Sequence, residues 1–463
     1  MANWTDHSLK LAMQTAFGTA NTTDGDFVTI EAEVPKVTFE TDMQELELMT
    51  GVVGAAPERI AGRRHGSITF KLPLEGLKSG YDPTAEGPGA APVSGHEVIP
   101  PWLALLANAI GSNLSAVTTN AQFWRGLHLS WSEYTAGGVS SAAAGPPTTV
   151  VLDNATASNK VLGGEFFLSA LTATATSLMM GWVKTKAVQT LTLFDALTTV
   201  INDAAAHVYP QGTAYGSSEV SSTKALSMRW VGNDTTFAYL LQDCICSNIK
   251  ITWDVGAVPE IEFTYKFYNY SMDKTKGGLV VPSAYERVPQ LVGGLNGRAT
   301  LGTWNAAGTT LTSATQCGLE ACTWEWSAEL RETKCHSATQ GVSAVSIVKP
   351  RVKASFSIPH DSGDTVYDAA GSAGNTGQHQ WQSRLELGTR ISIGAYVGAT
   401  IGRVWSHLLP SSVITSVPAV EDRNGAICYT VSVEAGAYTQ DTTDTAETSA
   451  DSPLDSPFRV ALA

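Results

Sequence analysis

In the stretch Ile249-Lys250-Ile251-Thr252-Trp253-Asp254-Val255 every odd-numbered residue is apolar and every even-numbered one polar. Successive side chains of a strand point to opposite faces, so this pattern describes a strand with one buried and one exposed face. Glu262-Phe263-Thr264-Tyr265-Lys266-Phe267-Tyr268 repeats the period. So do Phe27 to Val34, Ile68 to Leu74, Val352 to Ile358 and Ile427 to Val433, all rich in β-branched and aromatic residues. The chain is therefore mainly β. One helix is expected after Pro100-Pro101, with Trp102, Leu105, Leu106 and Ala109 on one face and Gly111 ending it. A second is expected after Gln378, through Trp381 to Leu387.

Glycine-, serine- and proline-rich stretches divide the chain. Residues 135–149 and 211–223 bracket a strand-rich unit, expected as a small β-barrel inserted at about 145–222. A further break, near Met272 to Tyr285, separates a first domain (1–280) from a second (285–440), and 441–463 reads as a polar C-terminal arm. The two halves share a layout. Val37 to Met49, a charged tip and the return strand Gly66 to Pro73 in the first are matched by Trp324 to Glu332, a polar tip and Lys353 to Pro359 in the second. Each half closes on an acidic-Gly turn, Trp253-Asp254-Val255-Gly256 and Ser432-Val433-Glu434-Ala435-Gly436. This is one β-fold used twice.

Four stretches are similar to bacteriophage tail tube proteins, the major tail proteins of long-tailed phages. They are Thr15-Ala16-Phe17-Gly18-Thr19-Ala20 leading into Phe27-Val28-Thr29-Ile30; Pro57 to Leu74 with Arg63-Arg64-His65-Gly66; Pro101-Trp102-Leu103-Ala104-Leu105-Leu106; and Cys246 to Phe267 with its Gly256-Ala257-Val258-Pro259 turn. The resemblance implies two tandem β-sandwich or part-barrel domains, each with a short helix and a long hairpin. It implies that the inner sheets of several chains join into a ring, here of three two-domain chains with pseudo-sixfold symmetry. Rings stack through the hairpin into a conduit for DNA delivery into the host cell, with the insert outside the bore. The implied partners are further copies of the chain and tape-measure, tail-terminator and baseplate or tip proteins. Double-stranded DNA passes without specific binding, and the location is the virion after synthesis in the host cytoplasm.

The charge pattern agrees with that expectation. The 43 acidic residues outnumber the 29 basic ones, for a net charge of −14, and only 16% of residues are charged. An acidic chain is a poor general nucleic-acid binder, because affinity for phosphates comes from Lys and Arg. A neutral or acidic bore would let DNA slide. Asp254 and Glu262, on polar strand faces, are candidates to line it, or are ordinary outer-surface residues. The arms between Val37 and Phe70 run about 13 residues each, roughly 40 Å, enough to reach a neighbouring ring. Glu58, Arg59, Arg63 and Arg64 near the tip, beside Glu45 and Glu47, form either a stacking surface that sets register or a solvated loop tip.

Nothing points to catalysis, a cofactor or a metal. No nucleophile elbow, zinc-protease helix, phosphate loop or dinucleotide turn is present. The six cysteines form no Cys-x-x-Cys pair and read as buried thiols. His360, Asp361 and Asp364 fit an Asp/Gly turn better than a cation site. The N-terminus lacks a basic start followed by an apolar run, and the longest apolar stretch, Trp102 to Ile110, is too short to span a bilayer. A secreted or surface adhesin or carbohydrate-binding module, which would need an export route, is the alternative. A β-rich hydrolase has no positive support.

Overall fold

The computed structural model describes residues 7–30, 32–46, 58–76, 99–112, 117–124, 126, 128–134, 139–142, 149–152, 166–170, 178–187, 190–194, 201–203, 207–216, 224–232, 238–272, 297–303, 315–335, 341–359, 385, 388, 390–398, 403–423, 425–436 and 456–462. The fold is mainly β, and all strand pairings among these residues are antiparallel.

The strand order repeats. In the first half Lys36–Leu46 pairs with Glu58–Pro73, which pairs with Glu260–Phe267, which pairs with Ala238–Asp254. In the second half Ala321–Lys334 pairs with Val342–Pro359, and that strand pairs with Ala426–Ala435. Ala426–Ala435 is bordered on its far side by the end of Trp405–Ile414 and by Ala419–Arg423. The halves join where Asn248–Asp254 pairs with Ala321–Ser327, so one sheet runs through both.

A second layer also recurs. His7–Met13 lies between Val28–Ile30 and Leu226–Gly232, and the latter pairs with the start of Ala238–Asp254. Gly297–Thr303 lies likewise between Thr315–Gly318 and Ile391–Val397, which pairs with Trp405–Ile414. Even the short strands Asn269–Met272 and Arg459–Leu462 hold equivalent places, each beside the start of that shared strand.

The alternation read from sequence sets the faces. Phe70, Phe263, Ile249 and Trp326 are successive opposed residues on the buried face, as are Leu72, Ile261, Ile251 and Trp324. They belong to one core shared by both halves. Such rows are where a sheet gains most of its stability, because cross-strand apolar pairs bury one another.

The expected helix spans Pro101–Ile110 and ends at Gly111, whose φ of 84° suits a residue without Cβ. It is buried on every side rather than on one face. Its polar groups are satisfied: Trp102 Nε1 donates to the Glu75 carbonyl (2.9 Å), and the Asn108 amide bonds both backbone groups of Lys224. A short helix, Asn120–Trp124, follows it. The helix expected around Trp381 lies outside the described residues apart from Leu385.

The inserted unit is wider than its expected limits. Ser130–Tyr134 already belongs to it, pairing with His207–Tyr215. From there the pairing runs through Phe166–Ala170, Leu178–Ala187, Thr190–Leu193, Thr149–Leu152 and Val139–Ala142 to Ile201–Asp203. It docks on the second half: Trp182 is buried beside Phe166, Tyr396 and Leu408, and its Nε1 donates to Ser406 Oγ at 2.8 Å. The end of the expected arm is the buried strand Arg459–Leu462, paired with both Gly212–Tyr215 and Trp405–Leu408. Residues 437–455 lie outside the described residues.

Candidate functional site

Two features of the shared sheet are candidates for function: its polar face and its open edges. On the polar face, directly opposed residues form a row across six strands, Lys71, Glu262, Lys250, Glu325, Lys353 and Glu434. Each interior carboxylate stands between two ammonium groups, so the row is neutral as a whole. Glu325 also accepts a hydrogen bond from Asn248 Nδ2 at 3.0 Å, across the join between halves. The rows to either side carry Thr69, Thr264, Asn248, Ser327 and Arg351, and Glu260, Thr252, Thr323, Ser355 and Ser432, one cation and one carboxylate between them.

Asp254 ends the strand Ala238–Asp254 on this face, and its carboxylate pairs with Arg423 at 2.9 Å. The strand of Arg423 lies four strands away in the pairing order, about 19 Å along a flat sheet. Both side chains belong to the polar face, so the sheet curls toward that face there. Arg423 also meets Glu421 at 3.4 Å. Asp254 and Glu262, the candidates to line a bore, both lie on this polar face, Asp254 paired with Arg423 and Glu262 opposed by Lys71 and Lys250.

Among the described residues, Lys36–Leu46 has a strand partner on one side only. The same holds for Ala419–Arg423 at the other end of the order. Apolar side chains gather at both places. Val34 (50% exposed) and Met43 (59%) flank the first, and Val413, Val417, Val420 (53%) and Ile427 (56%) flank the second. Lone exposed apolar residues are ordinary, whereas clusters beside unpaired backbone mark contact surfaces.

The hairpin residues fall in several places. Glu45 lies opposite Arg59 and Leu46 opposite Glu58 in the ladder, while the side chains of Glu45, Glu58 and Arg59, and the whole of Glu47, lie outside the described residues. Arg63 is half-buried: its guanidinium pairs with Glu332 of the second hairpin at 2.7 Å and with Asp42 at 3.6 Å. It thus ties the two hairpins together within one chain. Arg64 is exposed and lies over the Tyr270 ring. Sequence reasoning missed Glu332, Lys250 and Glu325, because only the register brings them to their partners.

Other reactive groups are buried. Cys244, Cys246, Cys322 and Cys428 are buried free thiols, and burial raises the pKa of each. Burial lowers His128 to about 4 and His407 to about 3, which keeps both rings neutral. Among the described residues no group of His, Cys, Asp and Glu is arranged to hold a metal ion. His360, Asp361 and Asp364 lie outside them. No helix of the described residues is long and apolar enough to cross a membrane. No protein-family model matches the chain, and no curated protein matches it.

Proposed function

We propose that this chain is a structural subunit of a bacteriophage tail tube, and that its rings stack into a conduit for DNA. The observation that carries the reading is the doubled strand order with one edge of each kind left open. The join inside the chain pairs the last-placed strand of one half with the first-placed strand of the next. Among the described residues the same two kinds of edge remain unpaired at the ends. Placing chains head to tail repeats the join and removes both edges, which is the general remedy for an exposed sheet edge.

The register favours a closed ring. Thr69–Pro73 and Ser355–Pro359 are matching ends of the two return strands. The row of opposed residues that starts at Lys71 reaches the second return strand at Lys353, whereas Lys71 matches Ser357; the stagger is 357 − 353 = 4 residues. Four residues over four strand steps correspond to a strand tilt of about 35°, at the lower end of the range for closed barrels. Three chains of eight inner strands give a backbone ring about 45 Å across at this tilt. The concave polar face then lines the bore, and its alternating Lys and Glu residues offer phosphates no net attraction.

Negative-stain microscopy of the purified protein tests the reading. Stacked hollow rings are expected. Particles that stay monomeric at high concentration and at every salt condition would overturn it.

A further inference from the structure

The join inside the chain predicts the register between chains. Within it, Ile251 faces Trp324 on the buried side, and Thr252 faces Thr323 on the polar side. Each of these has a counterpart at an open edge, found by following opposed residues. Ile251 faces Ile261, which faces Leu72; the residue matching Leu72 in the second half is Ile358, which faces Tyr429, which faces Val420. Trp324 faces Ala354, the match of Ile68, which faces Val37. The same steps take Thr252 to Glu421 and Thr323 to Lys36.

We infer that a second copy of this chain pairs its Lys36–Leu46 edge with Ala419–Arg423, with Val37 set against Val420 and Lys36 against Glu421. The inference rests on head-to-tail assembly as proposed above and adds the register and the recognition chemistry. Both pairs are complementary. On the buried side two valines meet, and Val420, 53% exposed here, takes the place that Ile251 fills at 0% in the internal join. On the polar side an ammonium group meets a carboxylate. A shift of one residue would set Lys36 against Val420 and turn Val37 to the polar side, because the strand period is two. The surrounding Met43, Val417 and Ile427 supply further apolar area at the two edges.

The internal seam and the proposed seam differ in strength. Ile251 and Trp324 are large and wholly buried, whereas Val37 and Val420 are smaller. The seam between chains is therefore the weaker one, so rings dissociate into folded chains before the halves of a chain separate.

Cysteine cross-linking under mild oxidation reads the register directly. Val37→Cys mixed with Val420→Cys should give a disulfide-linked dimer on a non-reducing gel. The out-of-register mixture of Val37→Cys with Glu421→Cys should give at least about tenfold less, since those side chains lie on opposite faces. A chain carrying both Val37→Cys and Val420→Cys should be trapped as a closed covalent oligomer. As a second readout, Lys36→Glu or Glu421→Lys alone should raise the protein concentration needed for half-assembly by about tenfold, and the two together in one chain should restore it. These positions lie at open edges, and an unchanged melting curve of the monomer separates an assembly defect from misfolding. Rings that cross-link equally well in both mixtures, or that ignore the charge swap, would overturn the register and leave the tube reading standing. Absence of any oligomer from the unaltered protein would overturn both.

Discussion

His407 packs against Phe356 and Trp405, and neither of its ring nitrogens has a hydrogen-bond partner among the described residues. His128 is better placed, with Nε2 donating to the Ala104 carbonyl at 2.9 Å and its ring stacked on Phe123. Burial holds both below the ordinary histidine value, at about 3 and about 4. A histidine unfolded in water titrates near 6.5. The folded state thus binds fewer protons, and the stability this brings is present above about pH 6.5 and drains away as pH falls toward 4 and then 3. The melting temperature should drop across that window. His407→Leu should flatten the drop and cost little at pH 7, since leucine needs no partner; the flattening corresponds to a few kcal/mol at most. An unchanged pH slope in that variant would contradict a neutral buried ring. Gly66 makes a steric prediction. A Cβ there would run into the Thr38 carbonyl oxygen and the ring of Phe267. Gly66→Ala should therefore destabilise the chain by about 2 kcal/mol in denaturant titration.

Hairpins and strands show what a sequence reveals at the scale of elements. The strand from Ala238 to Asp254 and its partner Glu260–Phe267 were legible because alternation and β-branched residues recur over many positions. The helix Pro101–Ile110 was legible from its proline start and glycine stop, but its burial on all sides was not, because neighbouring layers decide that. The strand Arg459–Leu462 was not legible. Four residues carry too little periodicity, and its strand character comes from the two neighbours it lies between. Removing residues 456–463 would leave Trp405–Leu408 and Gly212–Tyr215 without that neighbour. The insert should then become more susceptible to limited proteolysis than in the full chain, and an identical digestion pattern would argue against the docking. The contact of Arg63 with Glu332 joins the two hairpins through half-buried, charge-assisted hydrogen bonds. A double-mutant cycle with Arg63→Ala and Glu332→Ala should yield a coupling energy of about 1 kcal/mol. Additive losses would mean the hairpins are held by packing alone.

Across the whole molecule, the duplication suspected from similar layouts becomes a repeated pairing order with a stagger of 4 residues between the copies. No sequence pattern could have displayed that stagger, since register is a relation between distant strands such as Lys250 with Glu325 and Lys71 with Glu262. For the same reason the neighbours of Asp254 and Glu262, Arg423 for the first and Lys71 and Lys250 for the second, were not legible in the sequence. The charge-matched face leads to a prediction for the assembled protein. Linear duplex DNA should not co-sediment with it at physiological salt, and retention that weakens steeply with added salt would indicate a cationic bore instead. The strands Lys36–Leu46 and Ala321–Lys334 run in the same direction, because the three strands between them in the sheet order alternate antiparallel. Both hairpins of a chain therefore rise from the same rim, while the turns after Asp254 and Arg423 sit at the opposite rim. Chains joined head to tail all carry this sense. The resulting object has a front and a back that no rotation can interchange, and a column grown from it has two chemically distinct termini. In the tube proposed above, partners that start construction at one end and cap it at the other could tell them apart from the subunit alone.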